Sequence, residues 1–245
     1  MDVRDLIEEA VILYRTEVDS FLAIITPAAA FGLIMLVVSD MSLTAALVTI
    51  PLLFLVYLAT YAACVEQAGV LVSGGSRPAG RVWLEVLVRS PQILMAAAPS
   101  IAITVIVASC AVVLSHMGFW YLGVAVGLAG AGVGLSWLAD HPYDQPLIVV
   151  YEAKARDALD TGSQLAAETR EWTVRLLAVV FAPVVAGVLI SAGLAWTMAP
   201  IVGAAIFLLV VAFWLPFAAL CLTEACLRLV DRTETARQSL ARTAA

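Results

Sequence analysis

The chain has 245 residues, 63% of them apolar and 13% charged, with a formal net charge of −6. Soluble domains run about 45–50% apolar and about 25% charged, so this composition excludes an ordinary soluble domain, a disordered chain and a basic nucleic-acid binder. The four cysteines, Cys64, Cys110, Cys221 and Cys226, contain no C-x-x-C pair and do not form the framework of a secreted disulfide scaffold.

In chain order, the sequence predicts an all-α, polytopic membrane protein. Val3–Val18 reads as an amphipathic helix, with Leu6, Ile7, Ala10, Val11 and Tyr14 on one stripe and Asp5, Glu8, Glu9 and Glu17 off it. Six charge-free apolar runs follow: Phe21–Val38, Leu43–Val65, Ile93–Leu114, Met117–Ala139, Leu176–Met198 and Ile201–Thr223. Each approaches or exceeds the ~20 residues that cross a bilayer. They are too long, and alternate too little, for β-barrel strands. The connections Ser39–Ser42, Ser115–His116 and Ala199–Pro200 are so short that successive spans form three helical hairpins. No basic segment with a small-residue cleavage site precedes the first span, so that span is expected to remain as an anchor.

All thirteen Lys and Arg residues fall before span 1, between spans 2 and 3, between spans 4 and 5, or after span 6. By the positive-inside rule both termini are cytoplasmic. The expected location is the plasma membrane of a prokaryote. The six tryptophans lie mostly near span ends, where aromatic belts form.

A weak threefold pattern runs through the single membrane domain 1–245, over residues 1–72, 79–154 and 155–230. Each copy opens with an amphipathic helix: the first at Val3–Val18, the second near Ala79–Ser90 after Gly74, Gly75 and Pro78, the third near Ala155–Trp172. Each then enters a span carrying a proline, Pro27, Pro99 or Pro183, which removes a backbone hydrogen bond and kinks the helix. Each closes on a glutamate, Glu66, Glu152 or Glu224. Two readings of these glutamates stand side by side. They are polar residues at membrane exits, satisfied by water or arginine, or they are a pseudo-threefold carboxylate set facing a cytoplasmic vestibule.

The middle copy carries an insert, Asp140-His141-Pro142-Tyr143-Asp144-Gln145-Pro146, whose prolines predict a solvated break between helices. Asp140, His141 and Asp144 are metal-compatible side chains, but no second histidine lies on that side, and no metal or cofactor is expected. In span 4, Gly123/Gly127 and Gly130/Gly134 have the G-x-x-x-G spacing of close helix packing. The cysteines are expected to be reduced packing thiols.

The run Pro146, Glu152, Ala158-Leu159, Ser163, Leu165 and Trp172 resembles a prokaryotic family of six-helix integral membrane proteins of unknown function. That group includes the membrane domain fused to some glycerophosphodiester phosphodiesterases. The acidic, lysine-poor composition looks like that of an archaeal, even haloarchaeal, relative. The resemblance implies a six-helix membrane fold and carries over no catalytic residues.

The expected role is non-enzymatic: a scaffold or accessory subunit contacting membrane lipids, a protein partner or further copies of itself, and no nucleic acid. The alternative is a small transporter for a lipid or other small molecule, with Glu66, Glu152 and Glu224 near a cytoplasmic vestibule.

Overall fold

The structure is a computed structural model and describes residues 2–39, 41–197 and 200–233. Asp40, Met198, Ala199, Arg237 and Arg242, which figure in the reading of turns and charge, lie outside the described residues. Those residues form nine α-helices and no strand: α1 (Val3–Thr16), α2 (Val18–Ser39), α3 (Leu43–Val72), α4 (Ala79–His116), α5 (Trp120–Asp140), α6 (Asp144–Val150), α7 (Ala155–Glu168), α8 (Arg170–Thr197) and α9 (Pro200–Arg232). α2, α3, α4, α5, α8 and α9 each hold a segment long and apolar enough to cross a membrane. The chain is a multi-pass helical membrane protein.

Local chemistry explains the helix ends. Asp2 caps α1 by accepting from the Arg4 N–H at 3.1 Å, and Ser42 caps α3 by accepting from the Ala45 N–H at 3.1 Å. α3 and α4 both stop at a glycine in the left-handed region, Gly74 (φ 77°) and Gly118 (φ 87°). In each case the glycine N–H bonds the carbonyl three residues back, and the next N–H reaches five back: Gly75 to Val70 and Phe119 to Leu114, each at 2.9 Å. The second hairpin therefore turns at Met117–Phe119, just beyond the expected Ser115–His116, because Gly118 is the residue that tolerates the turn.

Two of the expected amphipathic helices are separate elements. α1 meets α2 at Glu17 (φ −118°, ψ 23°), and α7 meets α8 at Thr169 (φ −118°, ψ 25°). At both junctions the N–H bonds the carbonyl four residues back, to Leu13 and Leu165. The second amphipathic segment instead runs unbroken into its span, giving the 38-residue α4 with Pro91 and Pro99 inside it. Pro91 lacks the N–H that would bond Leu87, and the Ser90 hydroxyl donates to that carbonyl at 2.8 Å.

The core lies toward one end of the bundle. Buried residues concentrate in Thr60–Leu71 of α3, Val82–Ala97 of α4, Thr173–Val180 of α8 and Ala212–Val230 of α9, joined by Leu6 and Ala10 of α1. This end bears the ionised side chains and is here the charged face. Toward the far face, large apolar residues such as Ile34, Val48, Ile106 and Leu189 are exposed, as suits a surface solvated by lipid.

Candidate functional site at the charged face

The insert after α5 forms a buried plug rather than the solvated break its prolines predict. His141–Tyr143 break the chain, and α6 begins at Asp144. Pro146 falls in the first turn of α6, where its missing N–H has no helical partner to lose. Pro142, Tyr143, Asp144 and Pro146–Val149 are buried among α3, α4, α7 and α9. Two glycines seat this helix. A Cβ at Gly69 would come within 2.8 Å of Val150, and one at Gly162 within 2.4 Å of the Asp144 carboxylate. The Tyr143 and Thr173 hydroxyls are 2.9 Å apart and tie the plug to α8.

Arg89 of α4 connects this plug to the bundle. Its guanidinium donates to Glu66 of α3 at 3.0 Å, to Glu152 at 2.7 Å and to the Val149 carbonyl at the end of α6. Glu66, only 5% exposed, also accepts from Arg77 at 2.6 Å. A buried carboxylate demands such pairing, and a planar guanidinium can serve several acceptors at once. Glu152 has φ 57°, the one positive-φ residue other than glycine among the described residues. Gln92 supports the same loop by accepting from the Ala155 N–H at 2.9 Å. A cavity of about 200 Å³ lies among Glu66, Ser73, Arg77, Arg89 and Glu152.

Glu224 belongs to a different cluster. It pairs with Arg228 one turn on in α9, and Arg228 also reaches Glu9 of α1. Glu66 and Glu152 thus share one arginine, while Glu224 has another. One carboxylate oxygen of Glu224 is buried without a hydrogen bond, as are the side-chain amide atoms of Gln67 and the hydroxyl of Thr223.

Asp140 and His141 lie beside the plug. Asp140 ends α5 and is exposed. The His141 ring stacks on Trp137 with centroids 4.4 Å apart, and its Nδ1 lies 3.5 Å from Asp144. Burial pushes the Asp144 carboxyl up to about 8 and pushes His141 down, the latter opposed by the charge of Asp140. No group of three His, Cys, Asp or Glu among the described residues is arranged to hold a metal ion. The four cysteines are free thiols; Cys64, Cys221 and Cys226 are buried and Cys110 is exposed.

Two interior prolines are accompanied by an aromatic donor. Trp214 donates to the Val180 carbonyl at 2.6 Å, three residues before Pro183. Tyr14 donates to the Phe213 carbonyl at 3.3 Å, three residues before Pro216. Pro27 and Pro99 lie inside α2 and α4. Arg77, Arg89 and Arg228 register in the sequence through charge sign alone. Spacing adds only the partners one turn away, Glu224 for Arg228 and Glu85 for Arg89, the latter at 3.9 Å; it does not reveal Glu66 or Glu152.

No protein-family model, no curated protein and no solved structure matches this chain.

Proposed function

We propose that this protein is a non-enzymatic scaffold or accessory subunit of a prokaryotic plasma membrane, with both termini in the cytoplasm. One observation carries the reading. The segments flanking the spans, α1, the start of α4, α6 and α7, are fastened to the charged face by buried contacts and arginine pairs. They form a firm platform, and that platform presents apolar side chains outward. Leu84, Leu87 and Val88 in the first turns of α4 are 64%, 62% and 79% exposed. Apolar groups left open on an otherwise charged surface suit a lipid interface or a partner.

The test is native mass spectrometry after gentle extraction from the source membranes, comparing the natural chain with Leu84→Ser/Leu87→Ser/Val88→Ser. A stoichiometric protein companion lost from the triple variant supports the role. An identical set of companions, or none with either chain, overturns it.

A second reading, a small transporter, draws on the unpartnered polar atoms of Gln67, Asp144, Thr223 and Glu224, carried by the plug and by helices packed against it. In that reading α6 closes the path. Replacing Glu66, Glu152 and Glu224 together by Gln would abolish flux in proteoliposomes, and unchanged flux would remove the reading.

A further inference from the structure

α5 and α8 border a wholly apolar groove of about 580 Å³. One face of α8, through Val174, Phe181, Val185 and Leu189, forms its long wall. Leu138 and Ala139 of α5 close its charged-face end. Val174 to Leu189 spans about 22 Å at the α-helical rise, the reach of an extended lipid hydrocarbon chain. The groove is not a sealed slot in the protein interior, since Val174, Val185 and Leu189 are exposed.

At its charged-face end the groove meets a second cavity of different character. Ala139 lines both. This second space, about 380 Å³, is bordered by Asp140 at the end of α5, Ser163 and Gln164 of α7, and Arg170 at the start of α8. Arg170 makes no ion pair with any described residue, whereas its neighbours Glu171 and Arg175 pair with each other. An apolar trough of chain length thus opens onto a polar chamber holding an uncommitted guanidinium. That chamber lies where the charge-free part of the spans ends.

We propose that this composite site binds one membrane phospholipid, its hydrocarbon chain along α8 and its phosphate on Arg170. The guanidinium supplies charge-assisted donors to phosphate oxygens. Gln164 supplies neutral amide donors, while the Ser163 hydroxyl, which donates to the Asp160 carbonyl at 3.0 Å, can only accept. Asp140 accepts from a hydroxyl or an amine on the rest of the headgroup. A carboxylate lining the same chamber disfavours headgroups with further negative charge, so the preferred lipid carries a single phosphodiester. A neutral diacylglycerol fills the groove and leaves Arg170 unused. Free phosphate uses Arg170 and leaves the groove empty. The site rests on the lipid-contacting side of the role proposed above and is independent of any protein companion.

The test offers delipidated protein mixed micelles of phosphatidylglycerol, phosphatidylethanolamine and diacylglycerol, with inorganic phosphate as a separate arm, and reads occupancy by native mass spectrometry. One retained phospholipid is expected, with little diacylglycerol or phosphate. Arg170→Gln loses a charge-assisted contact and lowers occupancy by roughly tenfold or more. Ala182→Trp, on the exposed groove wall, lowers it comparably, and Ala182→Leu replaces it should the larger side chain disturb folding. Leu209→Trp, in the separate apolar hollow beside Pro183 and Trp214, leaves occupancy unchanged. Unchanged occupancy in either the Arg170 or the Ala182 variant overturns the site. So does an equal fall in the Leu209 variant, or diacylglycerol or phosphate binding as well as phospholipid. Loss of the phospholipid with protein companions retained separates this site from the scaffold role.

Discussion

Arg89 holds Glu152 at 2.7 Å across 63 positions of chain, while another nitrogen of the same guanidinium holds Glu66 at 3.0 Å. One side chain on α4 therefore fixes both the end of span helix α3 and the loop that returns from the plug to α7. Removing it leaves Glu66 with Arg77 alone and frees the Val149 carbonyl. Breaking a buried ion pair costs about 3–5 kcal/mol, and the partial exposure of Arg89 places Arg89→Ala at about 3 kcal/mol. Arg89→Lys keeps the charge but loses the fork, and falls between the two. Thermal unfolding in nanodiscs ranks the three proteins. Equal melting temperatures would show that the lock is not structural.

Glu152 allows its two roles to be separated. Alanine and glycine there both remove the carboxylate, but only glycine adopts φ 57° without steric cost. Glu152→Gly is therefore expected to exceed Glu152→Ala in stability by about 1 kcal/mol. Equal values from denaturant titration would mean that the loop relaxes once Arg89 lets go.

Asp144 makes stability depend on pH in a definite direction. Its folded carboxyl titrates near 8, against about 4 in an unfolded chain. Between those values the folded protein retains a proton that the unfolded chain has lost. The stability present below pH 4 therefore falls by about 1.4 kcal/mol per pH unit as the pH rises toward 8. Asp144→Asn removes this slope. The His141 contribution runs the other way, lost as the pH falls, and is carried by both proteins. Melting curves from pH 5 to 8 should show the variant gaining on the natural protein at each step. Parallel curves would place Asp144 in water.

The glycines of α5 divide into two kinds. A Cβ at Gly130 would lie 2.2 Å from one Val107 methyl of α4 and 2.8 Å from both its branched Cβ and its other methyl, so no rotation of that side chain clears the space. Gly127 and Gly132 have open space. Gly130→Ala is expected to destabilise by about 1–3 kcal/mol through overpacking. Gly127→Ala gains up to about 1 kcal/mol from helix propensity. The same unfolding assay in nanodiscs checks both, and similar effects at the two positions would contradict this α4–α5 packing.

The spans, their hairpins and the amphipathic segments were readable because charge-free runs and helical stripes are local signals. Each is set by burial against lipid or core over a few consecutive turns. The fate of the insert was not readable. Pro142 and Pro146 announce a break, and a break is ordinarily solvated. What buries this one is the absence of side chains at Gly69, more than seventy positions earlier, and at Gly162 on the following helix. The pairing of Glu66 with Arg89 was hidden for a related reason: charge sign records which side of the membrane an arginine occupies, not which carboxylate it meets. The continuity of α4 across Pro91 rests on Ser90, whose hydroxyl bonds the Leu87 carbonyl that the proline leaves without its helical partner.

At 38 residues, α4 is about 57 Å long, well beyond the roughly 30 Å of hydrocarbon it has to cross. The excess stands at the charged face and carries Arg89, so the rod acts as a lever with its fulcrum in the bilayer. A thinner membrane tilts such a helix further. Any such tilt would act on Arg89, and through it on Glu66, Glu152 and the end of the plug, so the geometry of the charged face is tied to the thickness of the surrounding lipid.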